Sequence, residues 1–119
     1  MAIVPLSIQE LPQTGGYIGV RIWKWESLTQ SDSEGAALPQ PNFTDRAVQV
    51  EGTFDGATVT LKGSIDGANF HTLTDPQANP LSFTSGGIKQ ISEAVRVLKP
   101  ELSGGTASDL TVTILMKGN

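Results

Sequence analysis

Between Val48 and Ile65 the chain alternates with a period of two, and this pattern constrains the fold more than any other feature. Val48, Val50, Gly52 and Phe54 alternate with Gln49, Glu51 and Thr53. Asp55-Gly56 follows, and Ala57, Val59, Leu61, Gly63 and Ile65 resume the alternation at once. A period of two puts successive side chains on opposite faces of a strand, as a half-buried sheet requires. Asp-Gly supplies the two positive φ values of a type I′ turn, so the segment predicts a β-hairpin closed by Asp55 and Gly56. A second such dipeptide, Asp66-Gly67, turns the chain into residues 69–73. The strand over residues 57–65 is therefore expected to be shared by two hairpins, in a three-stranded meander.

The same period recurs along the chain. Leu81 and Phe83 alternate with Ser82 and Thr84, before Ser85-Gly86-Gly87 breaks the run and residues 88–91 and 95–98 start again. In the last strand Leu110, Val112, Ile114 and Met116 point one way while Thr111, Thr113 and Leu115 point the other. Near the start, Ile18, Val20 and Ile22 share one face, read as the inward one, and Arg21, Trp23 and Trp25 share the opposite face. No stretch of ten or more residues carries a helical stripe, and the β-branched content of residues 88–98 favours extended structure. Gly (13) and Pro (7) are abundant and aromatics make up only 6%, which suits short strands joined by many turns. The expected fold is all-β: an antiparallel β-sandwich or jelly roll of about seven or eight strands. Area scaling gives roughly 6,000 Å² folded against roughly 18,000 Å² unfolded, enough for one core and not for two. Residues 17–119 are thus read as a single sandwich domain.

Two stretches exceed a bare sandwich. Residues 1–16 carry apolar Ile3, Val4, Leu6, Ile8 and Leu11 among Pro5, Pro12 and Gly15-Gly16. They read as an arm that packs on its own sheet edge or on a neighbouring subunit, because an exposed apolar arm invites aggregation. Residues 26–46 are rich in Ser, Gln, Asp and Pro and lack periodicity. This makes a loop longer than the roughly 12–15 residues usual in compact domains, and such loops are either functional or disordered. Its Leu38 and Phe43, the five apolar residues of the arm, and Trp23 and Trp25 are the candidate contact residues. The tryptophan pair is expected to be buried under the long loop or in a subunit contact rather than to form an open platform for sugar rings.

The chemical inventory is thin. The chain has no cysteine, which removes disulfides, thiolate metal sites and thiol nucleophiles. Twelve acidic against eight basic residues give a net charge of -4, and the basic residues are scattered singly, so nucleic acid is not an expected partner. No apolar run reaches the roughly 20 residues of a membrane helix, and Met1 to Leu6 lacks the pattern of a signal peptide, so synthesis in the cytoplasm and no membrane partner are expected. His71 is the single histidine and no Gly-x-Ser-x-Gly elbow occurs, so an enzyme is not expected. Asp55, Asp66 and Asp75 lack Asp-x-Asp-x-Asp spacing and read as turn residues rather than calcium ligands. Gly86-Gly87 and Gly104-Gly105 are turns and not phosphate loops, and Asn42-Phe43-Thr44 is read as a chance glycosylation match. No cofactor or metal is implied.

The run from Lys62 to Pro76, KGSIDGANFHTLTDP, followed by Leu81-Ser82-Phe83-Thr84 and by Ala94 to Pro100, AVRVLKP, resembles the small β-structured virion proteins of tailed bacteriophages. Among these it is most similar to capsid decoration, or cement, proteins, in which a Gly-Ser-x-Asp-Gly hairpin, a Leu-Thr-Asp-Pro loop and a closing Leu-Thr-Val-Thr-Ile strand recur. The likeness covers roughly the second half of the chain. It implies a protein on the outer surface of an assembled capsid, a homodimer or homotrimer that clamps major capsid protein subunits by multivalent contact, with no chemistry of its own. The same stretch also resembles the discoidin-like carbohydrate-binding jelly roll through Ser64, Asp66, Gly67 and Arg96, although Phe70 stands where that family has tryptophan. A phage tail or baseplate accessory protein is a third expectation, which no feature of the sequence separates from the first.

Overall fold

The structure, a computed structural model, describes residues 3–4, 6–10, 20–30, 33–39, 45–93 and 95–117. Among these residues the chain forms β1 (Ile3–Val4), β2 (Leu6–Glu10), β3 (Val20–Leu28), β4 (Glu34–Gly35), β5 (Leu38–Pro39) and β6 (Asp45–Thr53). It continues through β7 (Ala57–Ser64), β8 (His71–Thr72), β9 (Ser82–Phe83), β10 (Gly87–Gln90), β11 (Val97–Gly104) and β12 (Asp109–Lys117). One sheet runs β10-β6-β12-β3-β2. The other runs β1-β4-β11-β7-β8, with β5 also on β11 and β9 also on β7. The two sheets form an antiparallel β-sandwich; within it the short β1–β4 pair is parallel.

The core lies between the sheets and follows the period of two. Leu110, Val112, Ile114 and Met116 of β12 are all 0% exposed; they lie beside Val48 and Val50 of β6 on the inner face of one sheet, and Ala57, Val59 and Leu61 of β7 come from the other. Thr111, Thr113 and Leu115 point outward, as the alternation requires. On β3 the face of Ile22, expected to point inward, is the outer one, while the tryptophans are buried, as expected for them. Trp23 and Trp25 are the inward residues, at 3% and 0% exposure, and Ile22 is on the outer face. Both faces of that strand are apolar, so alternation alone does not say which is inside, and the indoles bury more surface. Ile18 lies outside the described residues.

The Asp55-Gly56 turn also departs from the expectation. Asp55 (φ 46) and Gly56 (φ 84) have the positive φ values of the turn, and the Ala57 N–H donates to the Phe54 carbonyl at 2.9 Å. Yet β6 pairs with β10 and β12, whereas β7 pairs with β11, β8 and β9. The chain crosses from one sheet to the other at this point, so the turn closes a corner of the sandwich and not a hairpin. The connection from β11 to β12 crosses at the same end, and the two corners hold each other. The Asp55 carboxylate accepts from the Thr106 hydroxyl and the Ala107 N–H, the Ser108 hydroxyl donates to the Phe54 carbonyl, and the Gln30 amide bridges to Ser108 and the Gly104 carbonyl. Gly52 completes the corner: its φ is +125, and a Cβ there would lie 2.4 Å from the Asp109 carbonyl oxygen. The second expected hairpin is present, with Lys62 opposite Thr72 and Gly63 opposite His71.

Seven of the twelve strands have four or more residues; the other five are two-residue pieces that stitch loops onto the sheets. Two of these lie in the stretch expected as a long loop. There β4 and β5 pair with β11, and the Trp25 indole N–H donates to the Ala36 carbonyl at 2.8 Å. The loop therefore roofs the tryptophans, and Gly35 sits against Pro100 and Trp25 where a Cβ would come within 2.5–2.7 Å of both. Of the expected arm, β2 adds an edge strand to the chain's own five-stranded sheet by pairing with β3, while β1 pairs with β4 in the other sheet.

Candidate interaction surfaces

Three places on this frame present chemistry outward. The first is the outer face of the five-stranded sheet, where Ile22, Leu115 and Ala47 lie in one row of cross-strand partners and Lys24, Thr113, Gln49 and Ile88 in the next. Alternation puts these side chains opposite the core-facing set. Ile88 is 68% exposed and Leu115 39% exposed, two of the three large apolar side chains that the described residues leave in solvent. With Ile22 and Ala47 they line a shallow groove of about 230 Å³. A band of apolar side chains on a sheet face is the kind of surface that soluble proteins keep for contacts.

The second is the β7–β8 hairpin. Ser64 donates its hydroxyl to the Asp66 carboxylate, and its oxygen accepts the Gly67 N–H. The same carboxylate accepts the N–H groups of Ala68 and Asn69 and the Asn69 side-chain amide. These donors, the Asn69 backbone N–H first, hold the Asp66 carboxyl well below the usual carboxylate range. Arg96 donates to the Asp66 carbonyl at 2.8 Å. Ser64, Asp66, Gly67 and Arg96 are thus brought together, with the groups of Ser64 and Asp66 spent within the turn itself. Beside the turn a cleft of about 520 Å³ has Leu73 and Val95 among its walls, with His71, Asn69 and Glu93 on its polar side. Glu93 accepts both the N–H and the hydroxyl of Thr74. Burial raises its pKa, but these bonds outweigh that and hold it below the ordinary value.

The third is a charged cluster on the other sheet. Lys99 pairs with Glu34 and Glu101, and Lys62 with Glu101, while the Lys99 ammonium lies 4.4 Å from the centre of the Phe70 ring. Partial burial lowers the Lys99 pKa, but the bonds and charges of Glu34 and Glu101 outweigh it and raise the net value. The cluster ties β4 to β11 and presents both signs of charge. Among the described residues no group of three or more His, Asp or Glu side chains converges as a metal site would require, and no helix is long and apolar enough to cross a membrane.

The candidate contact residues separate clearly. Trp23, Trp25 and Leu38 are between 0% and 3% exposed and belong to the core, so they do not offer a contact surface: Gly35 and Ala36 close over Trp25, and Leu38, on β5, packs into the same core. Leu11 and Phe43 lie outside the described residues. For Ile3, Val4, Leu6 and Ile8 the backbones are placed in β1 and β2, and their side chains lie outside the described part. The groove residues Ile22, Ala47, Ile88 and Leu115 were missed as a site. The outward position of Leu115 is legible from the alternation of β12, but its grouping with Ile88 and Ile22 depends on strand order.

No family model matches this sequence, and no curated protein matches it. Among solved structures the chain is similar to the SPBc2 prophage-derived protein YomS, at 13% identity over 82% of this chain and 93% of that one, with a TM-score of 0.60. It is also similar, at a TM-score of 0.41 and 14% identity, to the K1 cleaved adhesin domain of Lys-gingipain from Porphyromonas gingivalis W83, over 98% of this chain and 85% of that one. The likeness to the prophage-derived protein is one of fold.

Proposed function

We propose that this chain is a structural, non-enzymatic component of a tailed-bacteriophage virion, of the capsid-decorating kind. In this reading it binds the outer surface of the assembled shell through protein–protein contact. The observation that carries the reading is the apolar band on the outer sheet face, with Ile88 and Leu115 exposed beside Ala47 and Ile22. The fold shared with a prophage-derived protein supports it, as does the likeness of the Lys62–Pro76 region to decoration proteins.

The mechanism is burial on a rigid scaffold. A standard interface buries about 800 Å² per partner, and one sheet face of this size supplies a contact of that order or smaller. A small contact becomes durable when several are linked, because linkage raises the effective concentration of the second and third. The partners proposed are the major capsid protein and further copies of this chain, with no nucleic acid, membrane or cofactor involved, and the site of action is the capsid surface after synthesis in the host cytoplasm.

Quantitative mass spectrometry of virions purified from the phage or induced prophage that encodes the chain tests this. A stoichiometry on the order of hundreds of copies per particle is the expected result. A handful of copies would move the protein to the tail or baseplate, and absence from the particle would overturn the virion reading. Leu115→Glu, which places a charge in the band without touching the core, is expected to lower shell occupancy while the far-UV circular dichroism stays unchanged.

A further inference from the structure

The edge strand β10 carries an inference about where one copy of this chain meets another, argued from the sheet edge and independent of a virion role. Among the described residues β10 pairs with β6 alone and forms one border of the five-stranded sheet. In an antiparallel pair, residues alternate between those that exchange both backbone bonds with the partner strand and those whose N–H and C=O point the other way. The Ile91 N–H donates to the Arg46 carbonyl, which fixes the phase: Ile91, Lys89 and Gly87 face β6, and Gln90 and Ile88 face away. Ser92, next in the outward phase, is already used, since its N–H donates to the Thr74 carbonyl at 2.9 Å. Among the described residues, no strand pairs with the outward backbone groups of Ile88 and Gln90.

Natural sheets protect such edges with a lysine, a proline, a bulge or a covering loop. Here the only charge on the strand, Lys89, is directed inward, its ammonium 5.3 Å from the centre of the Phe83 ring. The strand Gly87–Gln90 has neither proline nor a register shift against β6, and it exposes the apolar Ile88.

We infer that β10 pairs antiparallel with β10 of a second copy of this chain, about a two-fold axis at Ile88. The pattern is self-complementary, as a two-fold interface requires. With Ile88 opposite Ile88 of the second copy, the outward N–H and C=O groups of both strands meet. Lys89 then stands opposite a glycine, Gly87, instead of another lysine, and Gln90 stands opposite Gly86. A register centred on Lys89 would instead set two ammonium groups side by side, which is unfavourable. The pairing joins two five-stranded sheets into one and sets the exposed Ile88 side chains of the two copies against each other on the outer face. It also runs the apolar bands of the two outer faces into each other, so the dimer presents a doubled surface. A second copy of the same edge satisfies all of these at once, which favours it over an unrelated extended peptide.

The test is sedimentation equilibrium of the full chain over a wide concentration range. The expected result is a reversible species of twice the 12.6 kDa chain mass. Ile88→Pro removes an N–H that bonds nothing in β6, so it blocks the edge while sparing the ladder, and Ile88→Lys sets two charges against each other. Both are expected to be monomeric. Ile65→Lys, a change at an equally exposed isoleucine elsewhere, is expected to leave the dimer intact. A monomer at every concentration, or a dimer that survives both Ile88 substitutions, overturns the inference. Hydrogen exchange on the unmodified chain decides the matter even where a variant misfolds. The amides of Ile88 and Gln90 are expected to become protected as concentration rises, and concentration-independent exchange there overturns the pairing.

Discussion

Trp25 shows how one side chain links the two layers. Its indole fills the interior at 0% exposure and its N–H satisfies the Ala36 carbonyl of the covering loop. Truncating a buried tryptophan removes the transfer energy and leaves a cavity, so Trp25→Ala is expected to cost about 3–5 kcal/mol in urea denaturation. That is a large share of the roughly 5–15 kcal/mol by which a domain is stable. Leu115→Thr, on the outer face, is expected to change stability by no more than about 0.5 kcal/mol, which separates core from contact residues by measurement. Asp66 gives the pH counterpart. Its carboxyl is held below its ordinary value by the Asn69 and Ala68 N–H groups, the Asn69 amide and Ser64, so its charged form is favoured by folding. A depressed carboxylate contributes stability above its unfolded pKa and loses it as pH falls toward the folded value. The loss is therefore expected to begin below about pH 4. Melting curves of Asp66→Asn between neutral and acid pH should show a flatter acid limb than those of the unmodified chain; parallel limbs would mean that the turn does not depend on the charge. Both Asp66 and Gly67 could be read from the sequence as turn residues, since the reason is local: a carboxylate followed by glycine bonds the backbone two and three residues on.

At the scale of elements, the corners decide the architecture. Gly52 combines a φ of +125 with a backbone oxygen where a Cβ would stand. Gly52→Ala is expected to cost about 1–3 kcal/mol from the strained backbone conformation, with a further penalty for the close approach, and chemical denaturation measures it. The paired corners, through Asp55, Ser108 and Gln30, hold the turn of one crossing against the turn of the other. Neither is visible as a corner in the sequence, because a hairpin and a sheet-to-sheet crossing need the same positive-φ dipeptide and the same flanking alternation. The β4 piece is held differently. Gly35 lets it approach Pro100 and Trp25, and the Lys99 pairs with Glu34 and Glu101 fasten it to β11. The arm adds β2 at the border of its own sheet. Deleting residues 1–16 is therefore expected to keep the β-type circular dichroism, since the core strands lie beyond it, while lowering the thermal midpoint as the β2–β3 ladder is lost. A collapse of the β signal would place the arm in the folding core instead.

Over the whole molecule, one core joins the two sheets, and both tryptophans lie within it. Unfolding followed by tryptophan fluorescence and by far-UV circular dichroism is expected to give coincident transitions, as for a cooperative single domain, and two separated transitions would contradict a single core. The contact surface also exists only at this scale. Ile22, Ala47, Ile88 and Leu115 come from four strands spread over most of the chain, and the order β10-β6-β12-β3 is what puts them side by side. The sequence by itself determined the all-β class, the inward set of β12, the turn residues Asp55, Gly56, Asp66 and Gly67, and the hairpin from β7 to β8. Each follows from preferences acting over a few residues: side-chain alternation, positive φ at glycine, and short carboxylate-to-backbone bonds. Only the tertiary structure decided that β6 and β7 belong to different sheets, that the tryptophan face of β3 and not the Ile22 face lines the core, and that β10 borders its sheet among the described residues. Those outcomes depend on which distant strands pair and which of two apolar faces finds a partner, and a pattern with a period of two is the same on either side of that choice.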